Sequence, residues 1–155
     1  MSSRLAAYAV CNDGERVLLA LCVSPNGDCA WTLPGGRVEH GEDPSDTVIR
    51  ELWEETGAEG VVERILGADS RVIPANESYG GNEHHNVGIF YRVRILGGEL
   101  RPEPNGATAQ SAWTSIRDVA GLGRSSVVDI GLALDQTMPA TGHVPPVPVG
   151  GLIQH

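Results

Sequence analysis

The chain has 155 residues, 41% hydrophobic and 20% charged, a globular balance with enough length for one buried core. Its formal net charge of -9 argues against a sequence-independent hold on nucleic acid, because neutralising a phosphate backbone needs a basic surface. No run approaches the ~18 apolar residues of a membrane span, and the N-terminus lacks a signal-peptide core.

Cys11, Cys22 and Cys29 are odd in number and lack zinc-site spacing. Reduced thiols and a cytoplasmic location are the default expectations. Residues 5–11 (LAAYAVC) and 17–23 (VLLALCV) are short apolar runs that predict strands, joined by a turn at Asn12, Asp13 and Gly14. A second turn follows at residues 24–28 (SPNGD), then a W-x-L-P-G-G stretch from Trp31 to Gly36. Its paired glycines allow close backbone approach to a ligand or ion, although by themselves they read as a plain loop.

Asp43 and Pro44 mark a helix start, as N-cap and first helical residue, and Gly57 suits its left-handed end. Between them Val48, Ile49, Leu52 and Trp53 predict a core-facing stripe. Glu51, Glu54 and Glu55, at i, i+3 and i+4, are expected together on the opposite side. Carboxylates that close repel unless a cation lies among them, and an all-oxygen set suits a hard ion such as Mg2+ or Mn2+. A Glu-rich helix taken alone is more often a solvated face.

Further on, residues 60–66 and 68–73 read as strand with a break at Gly67, and 74–82 as a polar loop. Residues 86–95 alternate: Val87, Ile89, Tyr91, Val93 and Ile95 face one way, Asn86, Gly88, Phe90, Arg92 and Arg94 the other. Gly97 and Gly98 turn the chain, and residues 102–109 predict another loop. A last strand near Trp113 leads to a short helix at 116–122. Ser125 caps a final helix over 126–136. Residues 137–155 are rich in Pro and Gly and read as a tail, loose or laid over the surface or a partner. The expected organisation is therefore one domain over 1–136 with mixed α/β (α+β) structure, plus the tail.

From Gly36 to Ala58 the sequence is GRVEHGEDPSDTVIRELWEETGA. Its spacing resembles the Nudix box, G-x5-E-x7-R-E-U-x-E-E-x-G-U, with U a bulky aliphatic residue. At residue frequencies near ~7%, seven fixed matches arise by chance roughly once in 10^8 starting positions. The resemblance implies a mixed sheet sandwiched between helices. It also implies a Mg2+- or Mn2+-dependent pyrophosphohydrolase that cuts a phosphoanhydride of a nucleoside diphosphate linked to another group.

Nucleoside triphosphates are the broadest expectation for substrate. ADP-ribose or another nucleotide sugar is the alternative, which Pro74, sixteen residues past the box, favours. A nucleotide-binding domain without turnover is a further alternative. Carried over residue by residue, the metal set is the Gly35 carbonyl with Glu51, Glu54 and Glu55. Arg50 would orient Glu51, Glu42 would anchor the loop before the helix, and Glu54 is the preferred base.

Two positions depart from the pattern. Ala58 is smaller than the expected aliphatic residue. The further acidic residue expected shortly before Trp113 is missing, which leaves Gln110, Glu103 or Glu83 as stand-ins. Tyr79, His84, His85 and Arg71 are candidates for contacting the substrate, against the plainer reading of surface or strand-edge residues. The expected partner is a small nucleotide. A homodimer with the tail as an exchanged arm is compatible with the sequence, though no pattern requires it.

Overall fold

The computed structural model describes residues 2–78 and 80–148. Its elements in chain order are β1 (Ser2–Val10), β2 (Arg16–Val23), β3 (Cys29–Thr32), β4 (Gly35–Arg37), α1 (Pro44–Thr56), β5 (Ala58–Ile73), β6 (His84–Gly98), β7 (Thr108–Ser115), a 3-10 helix (Ile116–Gly121) and α2 (Ser126–Thr137). The strands form two sheets, β4-β1-β6-β5 and β3-β2-β7. The first is mixed, because β1 runs parallel to β6 while its other pairs are antiparallel. Among the described residues no helix is long and apolar enough to cross a membrane.

β1 is buried on both faces, so its alternation serves two cores. Ala6, Tyr8 and Val10 join Phe90 of β6 and the apolar stripe of α2. Ala7, Ala9 and Cys11 join Tyr91, Val93 and the Val48 and Leu52 side chains of α1. One helix thus covers each side of the β1–β6 pair, and the two-way alternation expected at residues 86–95 is seen.

Several elements run further than the sequence indicates. β6 begins at His84 and carries on through Gly97 and Gly98, which pair with Glu59 and Ala58 instead of turning the chain. β5 passes Gly67 without a break, bent by register shifts. Gly35 and Gly36 lie in the short strand β4, paired with Tyr8 and Ala7, and are not a loop. β7 begins at Thr108, inside the stretch expected as loop.

The described part of the C-terminal stretch is laid over the sheet. The Gly142 carbonyl accepts from the Ala68 N–H (2.8 Å), and a Cβ on Gly67 would stand 2.1 Å from that oxygen. Val144 is buried in the α2-side core, with Val147 packed against it.

Candidate functional site

α1 is held at both ends by local chemistry. Asp43 accepts from the Ser45 N–H at the N-terminus. At the C-terminus Gly57 is left-handed (φ 81°) and lies against the Glu99 carbonyl, where a Cβ would come within 2.3 Å.

The helix is rotated relative to the sequence expectation. Trp53 is 53% exposed and stacks under the Arg101 guanidinium, while Glu55 is buried. The reason is helical phase. At about 100° per residue, Glu55 comes almost two full turns after Val48 and returns to the same stripe, whereas Trp53 is swung away. The three box glutamates therefore do not share one solvent side. Glu51 and Glu54 stand at the rim and Glu55 points inward.

Arg50 organises the rim. Its Nε and Nη2 donate to the two oxygens of Glu42 (2.8 and 2.9 Å), and its Nη1 donates to Glu51 (2.9 Å) and Glu54 (3.2 Å). Glu42 also accepts from the Thr47 hydroxyl (2.6 Å) and the Glu39 N–H (3.2 Å), which ties the loop to the helix. Hydrogen bonds from Arg50 and Thr47 hold the Glu42 carboxyl at about 2. The Arg50 guanidinium is held above its ordinary value, chiefly by Glu42.

Burial pushes the Glu51 carboxyl upward, against the pull of Arg50. Space for that carboxylate exists because Gly36 lacks a side chain: a Cβ there would lie 2.8 Å from the Glu51 carboxyl carbon.

Inside, Glu55 accepts from the Gly35 N–H (2.7 Å) and the Thr108 hydroxyl (3.1 Å), joining α1 to β4 and β7. Burial raises its carboxyl to about 8, with Glu51 and Glu103 adding to the rise. Among the described residues no group of three or more His, Cys, Asp or Glu side chains is placed to hold a metal ion.

Of the stand-ins for the missing downstream acid, Glu103 is the one whose charge reaches both Glu51 and Glu55. Its carboxylate is steadied by the Thr108 N–H (3.0 Å). Gln110 is exposed on β7 opposite Leu21, and the Glu83 side chain is exposed.

The other described substrate-contact candidates gather at one end of the β5–β6 pair, where Arg71 lies opposite Asn86, and His85 and His84 lie opposite Val72 and Ile73. His85 meets the Ser70 hydroxyl (2.7 Å), and Arg71 is paired with Asp69 (2.9 Å) and donates to the Ser126 hydroxyl (2.6 Å). Tyr79 lies outside the described residues. His84 is buried, its Nδ1 2.7 Å from the Ser2 hydroxyl, and burial followed by Arg4 and Arg37 lowers its affinity for a proton.

Arg4 is a residue the sequence reading passed over. It is 6% exposed, its guanidinium nitrogens make no well-formed hydrogen bond among the described residues, and the Tyr8 hydroxyl is the group that supports its charge. The signal was its parity with Ala6, Tyr8 and Val10, which aims a charge at the core side of β1.

A NUDIX domain model matches residues 2–129. The chain belongs to the Nudix hydrolase family. It is 38% identical over 107 residues to MutT4 of Mycobacterium tuberculosis, covering 69% of this chain and 41% of that protein. It is 35% identical over 89 residues to an ADP-ribose pyrophosphatase of Methanocaldococcus jannaschii, covering 57% and 48%. The chain thus spans less than two thirds of the length of these relatives. Among solved structures, a MutT NUDIX hydrolase from Burkholderia pseudomallei superposes with a TM-score of 0.67 at 25% identity, covering 87% of this chain and 98% of that one.

Proposed function

We propose that this Nudix chain hydrolyses a phosphoanhydride of a nucleoside diphosphate linked to another group, using Mg2+ or Mn2+, with a nucleoside triphosphate as substrate. The observation that carries this reading is the Arg50 junction, where one guanidinium gathers Glu42, Glu51 and Glu54 at the rim of the α1 site. A binding module has no evident need for such a set.

The donor chemistry fits a hard divalent ion. Mg2+ is ordinarily held by one or two carboxylates while phosphate oxygens and waters complete its shell, so a closed protein cage is not required. Glu51, Glu54, Glu55 and the Gly35 carbonyl are the oxygens that would hold it. The bound ion supplies charge neutralisation and a more acidic water. The chain's own residues do the rest. Arg50 keeps Glu51 and Glu54 from drifting apart, and Glu42 holds Arg50. Glu54, half-exposed, accepts the proton of the attacking water. Glu55 fixes the Gly35 backbone against β7.

ADP-ribose or another nucleotide sugar is the second reading, favoured by the relative named as an ADP-ribose pyrophosphatase and by Pro74.

The test is phosphate release from a panel of nucleoside triphosphates and nucleotide sugars, with Mg2+, with Mn2+ and with chelator. A pyrophosphatase and a phosphatase serve as couplers. Chelator-sensitive turnover of one group supports the reading and selects the substrate. Silence across the panel, with a nucleotide still raising the melting temperature, moves the assignment to a nucleotide-binding domain without turnover.

A further inference from the structure

An α-helix leaves its last four carbonyls without helical partners, and α1 has no basic residue in its last turn to meet them. A cation reaches that turn from 47 residues further along the chain. Arg101 donates from Nη1 to the Glu54 carbonyl (3.0 Å), from Nη2 to the Trp53 carbonyl (2.8 Å) and from its backbone N–H to the Thr56 carbonyl (3.0 Å). Its guanidinium lies over the Trp53 ring, 5.1 Å from the centroid. The fork thus brings charge, paired hydrogen bonds and a flat face to one helix end, which the point charge of a lysine cannot do.

The backbones meet closely too. A Cβ on Gly57 would stand 2.3 Å from the Glu99 carbonyl oxygen and 2.9 Å from Cγ of Arg101, and one on Gly98 would stand 2.3 Å from the Gly57 carbonyl oxygen. The chain after β6 is therefore seated on the end of α1. Two residues on, the Glu103 N–H donates to the Thr108 carbonyl and its carboxylate accepts from the Thr108 N–H, both at 3.0 Å. Gly106 leaves room for that carboxylate, since a Cβ there would stand 2.0 Å from its carbon. Thr108 gives its hydroxyl to Glu55 (3.1 Å), so one residue bridges the two acids. The Glu51 and Glu55 carboxyls, raised first by burial, are raised further by the Glu103 charge.

We propose that Arg101 is a positioning residue for the hydrolytic site: by clamping the C-terminal turn of α1 to the segment after β6, it sets the distance between the box carboxylates and Glu103. Glu54 and Glu55 belong to the turn whose carbonyls it binds. Glu103 follows it by two residues, and Pro102 between them limits the slack. Like charges brought this close repel, so the clamp opposes a force that the site itself creates. Arg101 is assigned no contact with substrate or metal; it acts through the two elements it joins. The meaning of the acid spacing rests on the phosphoanhydride reading above.

The experiment is a double-mutant cycle of Arg101→Met and Glu103→Gln, with Arg101→Lys as the conservative variant. Each protein is measured for kcat and KM with Mg2+ on the best panel substrate, and for melting temperature in chelator. Arg101→Met should lower kcat about 10-fold and leave KM within about threefold, because misplaced reacting groups cost turnover more than binding. In the Glu103→Gln background the same change should cost no more than about threefold, since the carboxylate it places is gone. Arg101→Lys should recover part of kcat, having the charge without the fork. In chelator, Glu103→Gln should melt higher than the wild type through relief of repulsion, and that gain should vanish once Arg101 is replaced by methionine.

Equal losses of kcat in both backgrounds would make Arg101 a helix cap that acts without Glu103, and a lowered melting temperature with wild-type kinetics would do the same; either result overturns the positioning role. Should Arg101→Met fail to fold, Arg101→Lys takes its place in the cycle, and additive losses there are equally fatal. Failure of the hydrolase reading looks different: the wild type turns over no compound, yet the Arg101-dependent effect of Glu103→Gln on the melting temperature persists.

Discussion

Replacing Gly36 by alanine tests the link between backbone spacing and the rim carboxylates. The added Cβ would lie 2.8 Å from the Glu51 carboxyl carbon and 2.9 and 3.0 Å from its oxygens, where ordinary contact begins near 3.4 Å. The obstacle is the far end of a flexible side chain, so Glu51 gives way and the strand does not. A shift of several tenths of an ångström disrupts the 2.9 Å hydrogen bond from Arg50 and moves one of the proposed metal donors. The fold should lose no more than about 1 kcal/mol, a fall in melting temperature of about 2–4 °C for a chain of this size. Turnover should fall by about 10- to 100-fold, since misplacement by ~1 Å at a reacting centre costs about 10^2. Steady-state kinetics on the panel substrate, beside a thermal melt, separates the two effects. Adding Glu51→Asp, one methylene shorter, should restore part of the lost rate. Wild-type kinetics in Gly36→Ala, or inactivity explained by unfolding, would refute the argument.

Glu54→Gln should lower kcat by about 10^2- to 10^4-fold while leaving the melting temperature within a few degrees, because the side chain is half-exposed; full activity in that variant contradicts the assignment of the base. Glu42 is held at about 2, below its ordinary 4.5, so its stabilising contribution is fully present above 4.5 and is lost as pH falls through 2. Glu42→Gln should therefore be the less stable protein at pH 7, with the two melting curves converging in acid; a constant difference across that window would contradict the Arg50 pairing. Gly67→Ala drives a Cβ to 2.1 Å from the Gly142 carbonyl, a backbone clash that should cost about 1–3 kcal/mol and free the chain after α2 for proteolysis. Protease resistance equal to the wild type would show that the contact does not hold that segment.

The family was legible because the box is a local pattern. A capped helix, a closing glycine and an arginine one residue from a glutamate all follow from neighbours in the chain, and the structure places them together. Alternation alone likewise revealed that residues 86–95 face two ways, though not that each face meets its own helix. What local pattern cannot give is phase against the rest of the protein. Whether Trp53 or Glu55 occupies the core stripe depends on where β1 and β6 approach α1, and only packing decides it. Gly97 and Gly98 looked like a turn because no sequence signal shows that Ala58 and Glu59 arrive to pair with them. Glu103 joins the electrostatics of the box from a distant loop, and Arg4 is unusual only once the burial of its surroundings is known. Sequence by itself determined the family and the carboxylate helix, since these rest on short-range spacing. Tertiary structure decided which carboxylate turns inward, which loop acid approaches, and which cation is buried, because each depends on residues brought together across the fold.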